Sequence, residues 1–275
     1  MTAIILIVVL VYLVLVSLVY FGQSRLIFFP DRAFIMTPNR VGLEYEEVTI
    51  PVSSSENLGA WYFPSNVGGP SRPTVLFCHE NAGNISHGLE TVRSFLDLGA
   101  NVLAFDYRGY GRSDGRPSEK NVYEDAQAAW RWLLEYKRVQ PDRLFIFGRS
   151  LGGAVAVDLA TRVNCAGVIL ESTFTSVVDI GRKLYPWLPV PLVARYSFDS
   201  LSKIRNLSCP VMVAHSPTDE MIPFAMGRAL YDAARSEKRF LKLEGYHNDL
   251  LSLDSELYRN ALREFLKPRD SAPGK

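Results

Sequence analysis

The chain has 275 residues, of which 48% are hydrophobic and 21% charged, and a formal net charge of +1. That length and apolar content suit one large domain with its own core and exclude a disordered chain. A near-neutral balance supplies no basic field, so no nucleic-acid partner is expected.

Ala3 to Phe21 is an apolar run interrupted only by Ser17. As a helix it measures roughly 28 Å, close to the hydrocarbon thickness of a bilayer. The rival is a secretory signal peptide. No basic residue precedes the run, it is long for a signal core, and no small-x-small cleavage site follows. Residues 1–23 are therefore expected to be an uncleaved, single-pass membrane anchor. Arg25 and Arg32 follow it, which favours a cytoplasmic placement of what comes after. Residues 24–43, containing Leu26-Ile-Phe-Phe-Pro30, read as an interfacial linker.

Glu44 to Val52 and Leu58 to Phe63 alternate in polarity around a Ser53-Ser-Ser-Glu-Asn57 turn and predict a hairpin. After a polar loop at Gly68 to Pro73, strands and helices alternate. Strands are expected at Val75–Cys78, Val102–Phe105, Leu144–Phe147, Val168–Leu170, Val211–Ala214 and Phe240–Leu243. Helices are expected at His87–Leu98, Val122–Tyr136, Leu151–Ala160, Phe224–Ala234 and Ser255–Leu266. This is the pattern of an α/β domain over residues 44–267: a mostly parallel eight-stranded sheet with helices on both faces. Residues 172–207 interrupt it without a strand and carry Leu184-Tyr-Pro-Trp-Leu-Pro-Val-Pro-Leu192, read as a cap over the carboxyl ends of the strands. Residues 268–275 are expected to be a disordered tail. Cys78, Cys165 and Cys209 sit in or beside apolar runs and read as small buried hydrophobes. They show neither disulfide nor metal spacing.

The chemistry centres on Gly148-Arg-Ser-Leu-Gly152, between a buried strand and a helix. In such a turn the glycines are needed where a Cβ would clash, and Ser150 is held strained with its hydroxyl exposed. Leu151 opens the helix, so its N–H is available to an anion. A serine hydroxyl needs a base, and the base an orienting acid. Of the four histidines only His215 and His247 follow Ser150. With the order nucleophile, acid, histidine, His247 is the base and Asp219 the acid, with Glu171 as second candidate. Asp219 could otherwise cap the following helix. Asp249 is too near the histidine in sequence to be its acid and reads as a helix-entry residue. The loop after Val75–Cys78 should supply a second oxyanion donor, assigned to the Asn81 N–H, while His79 reads as structural. Asp106 to Gly111 is glycine-rich but lacks the Lys-Ser/Thr ending of a phosphate cradle.

The chain resembles the α/β-hydrolase superfamily over Glu44 to Lys267. In particular it is similar to membrane-anchored serine hydrolases often labelled peptidase-like. The resemblance rests on His79 to Asn84, Asp106 to Gly111, Gly148 to Gly152, Asp219, and Gly245 to Asn248. Two residues depart from the family pattern: Glu80 and Ser216 stand where glycine is usual. The first puts a carboxylate beside the oxyanion site, or else points away and caps the loop. The resemblance implies hydrolysis of a carboxylic ester, thioester or amide of a small-molecule or lipid-like acyl substrate, without metal or organic cofactor. The competing readings are a non-catalytic membrane scaffold that keeps the fold, and an acyltransferase in which an alcohol replaces water.

Overall fold

The computed structural model describes residues 1–67, 69, 72–249 and 255–267. The expected tail at 268–275 and part of the polar loop at 68–73 lie outside the described residues. Eight strands form one sheet: β2 (Glu46–Pro51), β3 (Asn57–Phe63), β4 (Thr74–Cys78), β6 (Asn101–Phe105), β7 (Leu144–Arg149), β8 (Gly167–Glu171), β9 (Val211–His215) and β10 (Lys238–Lys242). Their spatial order is β10-β9-β8-β7-β4-β6-β3-β2. β3 runs antiparallel to both its neighbours, and every other adjacent pair is parallel.

The continuous apolar strands are explained by coverage on both faces. Alternate residues sort into two cores. Leu76, Leu103, Ile146, Leu170 and Val213 face one core, with α3 (Glu119–Glu135) and α4 (Leu151–Ala160). Val75, Val102, Phe145, Ile169 and Met212 face the other, with α2 (Leu89–Asp97) and the last helix, Glu256–Phe265. The chain enters the sheet at one edge with the β2–β3 hairpin, crosses to β4 at the centre, fills in β6 between β4 and β3, then passes to β7 on the other side of β4. The carboxyl ends of β4 and β7 are thus a topological switch point, where such sheets bind ligands.

Helix α1 (Thr2–Ile27) contains an 18-residue stretch of mean hydropathy 3.2 and is long and apolar enough to cross a membrane, a property a signal sequence shares. It runs beyond residue 23, the expected end of the anchor. The segment after it, 28–32, is stitched to the domain. Phe28 is buried, and Phe29–Pro30 (β1) pairs in parallel with Ala82–Gly83 (β5). Arg32 donates to the Ser113 carbonyl at 2.6 Å. Residues 172–207, read above as a cap, contain α5 (Val177–Leu184), α6 (Val190–Val193) and α7 (Ser200–Ile204) and no strand. Cys78 and Cys209 are buried, whereas Cys165 is only half-buried, at the end of a surface turn.

Candidate active site

Ser150 joins β7 to α4 with φ 52° and ψ −118°, a conformation that costs a residue with a Cβ about 1–3 kcal/mol. The elbow packs directly on the end of β4. A Cβ on Gly152 would lie 2.0 Å from the Cys78 carbonyl oxygen, and one on Gly148 2.1 Å from the Gly152 carbonyl oxygen. Both clashes are with backbone, so only glycine fits. The strained turn is tied down by hydrogen bonds: the Ser150 N–H donates to the Glu171 carbonyl at 3.0 Å, and the Thr173 hydroxyl donates to the Ser150 carbonyl at 2.7 Å.

His247 lies between Ser150 and Asp219, its Nε2 3.3 Å from Ser150 Oγ and its Nδ1 2.8 Å from Asp219 Oδ2. All three residues are buried. The Asp219 carboxylate also accepts from the Met221 N–H at 3.0 Å and the Ile222 N–H at 2.7 Å, so it caps this turn as well as holding the imidazole. Burial alone would raise the Asp219 carboxyl. Hydrogen bonds from His215, His247 and the Ile222 N–H outweigh burial and hold it well below the usual carboxylate range. The carboxylate therefore stays ionised, and the Nδ1 proton is kept on its side of the ring.

Glu171 is placed elsewhere. It accepts from the Tyr258 hydroxyl and faces Arg149 Nε at 3.5 Å. His215 Nε2 is occupied by the Ile222 carbonyl at 2.9 Å, with Asp219 Oδ2 at 3.4 Å. Asp249 closes the turn that presents His247, accepting from the Tyr246 N–H at 2.8 Å.

Two residues that sequence reasoning passed over hold this turn. Arg149 donates to the His247 carbonyl at 2.7 Å, and Glu220 accepts the His247 N–H at 2.9 Å. Arg149 adjoins the elbow serine, yet nothing in its sequence position indicates that its guanidinium reaches a loop nearly a hundred residues away. It also explains Glu80, whose carboxylate lies 3.8 Å from Arg149 Nε. The charge at the glycine position is turned toward a cation.

The Asn81 N–H has no acceptor among the described residues. As first residue of α4, Leu151 has no helical carbonyl behind it. Both residues line one cavity with Ser150. The Asn81 loop is braced by Asp106-Tyr-Arg-Gly-Tyr-Gly111. Tyr110 donates to the Asn81 carbonyl at 2.7 Å, Tyr107 to the His79 carbonyl at 2.9 Å, and the Ile85 N–H to Asp106 at 2.8 Å. Arg108 anchors the brace on buried Asp125, with Nε 2.6 Å from its carboxylate. That motif is a scaffold for the loop rather than a ligand cradle.

Beneath the loop, His79 and Asp106 form a buried pair, Nε2 to Oδ1 3.7 Å. Burial pushes the imidazole down to about 3 and the carboxyl up to about 7, so both are neutral through weakly acidic pH. The signs oppose. The raised Asp106 contributes stability present below about pH 4 and lost as pH rises toward 7. The depressed His79 contributes stability present above about pH 6.5 and lost as pH falls. In the wild type the two slopes offset each other between about pH 4 and 6.5. Asp106→Asn removes one of them. Its denaturation midpoint is expected to rise with pH across that window more steeply than the wild type's, in urea melts at several pH values. Parallel profiles would contradict the neutral pair.

A strained, glycine-flanked serine turn at the switch point of a mostly parallel sheet is the arrangement of an α/β-type hydrolase. Comparison with known proteins agrees. The family model for serine aminopeptidase, S33, matches residues 69–198. The chain is 36% identical over 255 residues to the α/β-hydrolase domain-containing protein WAV2 of Arabidopsis thaliana, covering 84% of this chain and 81% of that one. It is 32% identical to the protein bem46 of Schizosaccharomyces pombe, covering 85% and 80%. Among solved structures, an esterase of Pyrococcus furiosus superposes with a TM-score of 0.71 at 21% identity, covering 87% of this chain and 96% of that one, a likeness of fold. The chain belongs to the α/β-hydrolase family, and at the level of class it is a hydrolase.

Proposed function

We propose that the protein is a serine hydrolase that cleaves an acyl bond, a carboxylic ester or thioester first and an amide second. The observation that carries this is the single line of contacts Ser150–His247–Asp219, at 3.3 and 2.8 Å. Ser150 Oγ attacks the acyl carbonyl carbon as its proton passes to His247 Nε2. The N–H groups of Leu151 and Asn81 hold the oxyanion. Collapse breaks the bond to the leaving group, which takes the proton from Nε2. Water then attacks the acyl-enzyme, giving its proton to Nε2. The acid is released and Ser150 recovers its proton. Asp219 holds the imidazole in the tautomer that leaves Nε2 able to accept. α1 is read as a membrane anchor, with Arg25 and Arg32 placing the catalytic domain on the cytoplasmic side.

A fluorophosphonate probe tests the reading on the full chain in detergent. Ser150 is expected to be the labelled residue. Asp219→Asn is expected to lower kcat for a p-nitrophenyl ester by about 10³- to 10⁴-fold, because an amide supports the wrong tautomer. An unlabelled Ser150 favours the scaffold reading. Ester product on adding an alcohol, in preference to acid, favours the transferase.

A further inference from the structure

The cavity above Ser150 is walled on one side by the chain's own N-terminal helix. It measures about 260 Å³ and is lined by Val19, Gln23 and Ile27 of α1, by Leu184 and Leu188 of the cap, and by Ser150 at its floor. Val19, Gln23 and Ile27 are four residues apart, so they share one helix face. All three are half-buried or buried, whereas most of the helix is exposed. Gln23 locks that face to the cap: its amide nitrogen donates to the Val193 carbonyl at 2.6 Å, and its amide oxygen accepts the Arg195 N–H at 2.8 Å. A buried glutamine with both ends used specifies one register of helix on cap. The end of α1 is also bolted to the oxyanion loop, since Asn81 donates to the Ile27 carbonyl at 2.8 Å and the Phe29 N–H donates to the Asn81 carbonyl at 2.9 Å.

Contact continues far up the helix. The Tyr12 hydroxyl donates to the Trp187 carbonyl at 3.1 Å. From Ile27 to Tyr12 the helix climbs about 22 Å. If its apolar run lies in a bilayer, the cap beside it reaches into the nearer leaflet. The cap surface fits that medium: Leu184, Tyr185, Trp187 and Leu192 are 55%, 44%, 53% and 84% exposed. Large apolar side chains and an aromatic pair suit the interfacial and outer acyl region of a membrane.

We propose that α1 is a wall of the acyl-binding site as well as an anchor. The substrate is then a membrane-resident acyl chain that slides from the leaflet into the slot between α1 and the cap, its ester or thioester carbonyl stopping at Ser150. This rests on Ser150 as nucleophile for the chemistry, though not for the slot. A wider groove of about 980 Å³ along another part of α1, lined by Leu13, Leu18, Phe21 and Arg116, contains none of the Ser150, Asp219 and His247 side chains and takes no part.

The test uses the full chain in phosphatidylcholine nanodiscs. Each methylene buried in the slot is worth about fourfold in binding. Val19→Trp fills the wall and is expected to lower the ratio of kcat/KM for a dodecanoyl over an acetyl p-nitrophenyl ester by at least tenfold. Val19→Ala opens the wall and is expected to shift the preferred chain longer, which serves if the tryptophan variant does not fold. A ratio unmoved by either variant overturns the slot. A palmitate analogue with a mid-chain diazirine gives a readout that needs no turnover. Adducts at Val19, Ile27 or Leu188 support the proposal, and adducts confined to outward positions such as Leu6 and Leu10 overturn it. Labelling at Val19 in a protein whose Ser150 takes no fluorophosphonate would refute Ser150 as nucleophile while leaving the slot standing.

Discussion

Ser150→Ala is expected to reduce ester turnover by a factor on the order of 10⁴ or more and to abolish fluorophosphonate labelling, with the fold intact. The hydroxyl is the only atom removed, and its role in the site is the 3.3 Å contact with His247 Nε2. The backbone of the elbow is held by other groups, namely the Glu171 carbonyl and the Thr173 hydroxyl. Alanine keeps the Cβ at φ 52° and therefore keeps the strain. Ser150→Gly removes both, so it should melt at or above the alanine variant, by up to roughly 1 kcal/mol, while being equally inactive. Burst and steady-state assays with p-nitrophenyl esters, beside thermal melts, read both quantities. Residual turnover within tenfold of wild type would reassign the nucleophile. A glycine variant less stable than the alanine variant would mean the elbow is not strained.

The largest expected loss of stability is at Gly152. A methyl group there would sit 2.0 Å from the Cys78 carbonyl oxygen and 2.6 Å from that of His79. Those atoms are backbone at the end of a central strand, paired in the sheet with β7. Neither rotamer change nor a small side-chain shift relieves the contact, so α4 or the oxyanion loop must move. Gly152→Ala is expected to cost about 4 kcal/mol or more, lowering the melting temperature by on the order of 10 °C. Gly69→Ala, where nothing lies within 4 Å, is the control and should change little. A Gly152→Ala protein that melts like wild type would show that the elbow does not rest on β4 so tightly.

Two kinds of information separate cleanly in this chain. Ser150, Asp219 and His247 were legible because each ends a strand or follows one closely, and a parallel sheet brings all those ends to one edge. The strands themselves were legible because burial on both faces demands continuous apolar runs such as Leu144-Phe-Ile-Phe147. Element boundaries shifted where capping decides them. Ser118 accepts the Asn121 N–H and starts α3 three residues before the amphipathic pattern begins.

The sequence by itself determined what repeats or is local: the sheet, the tight serine turn between β7 and α4, and a helix apolar enough for a membrane. Only tertiary structure decided what joins distant segments. Arg149 meets the His247 carbonyl, Glu80 turns to Arg149, and Gln23 seats α1 against the cap above the serine. The physical reason is that periodicity reports which face of an element is buried, whereas a buried polar group's partner is set by where folded segments happen to converge.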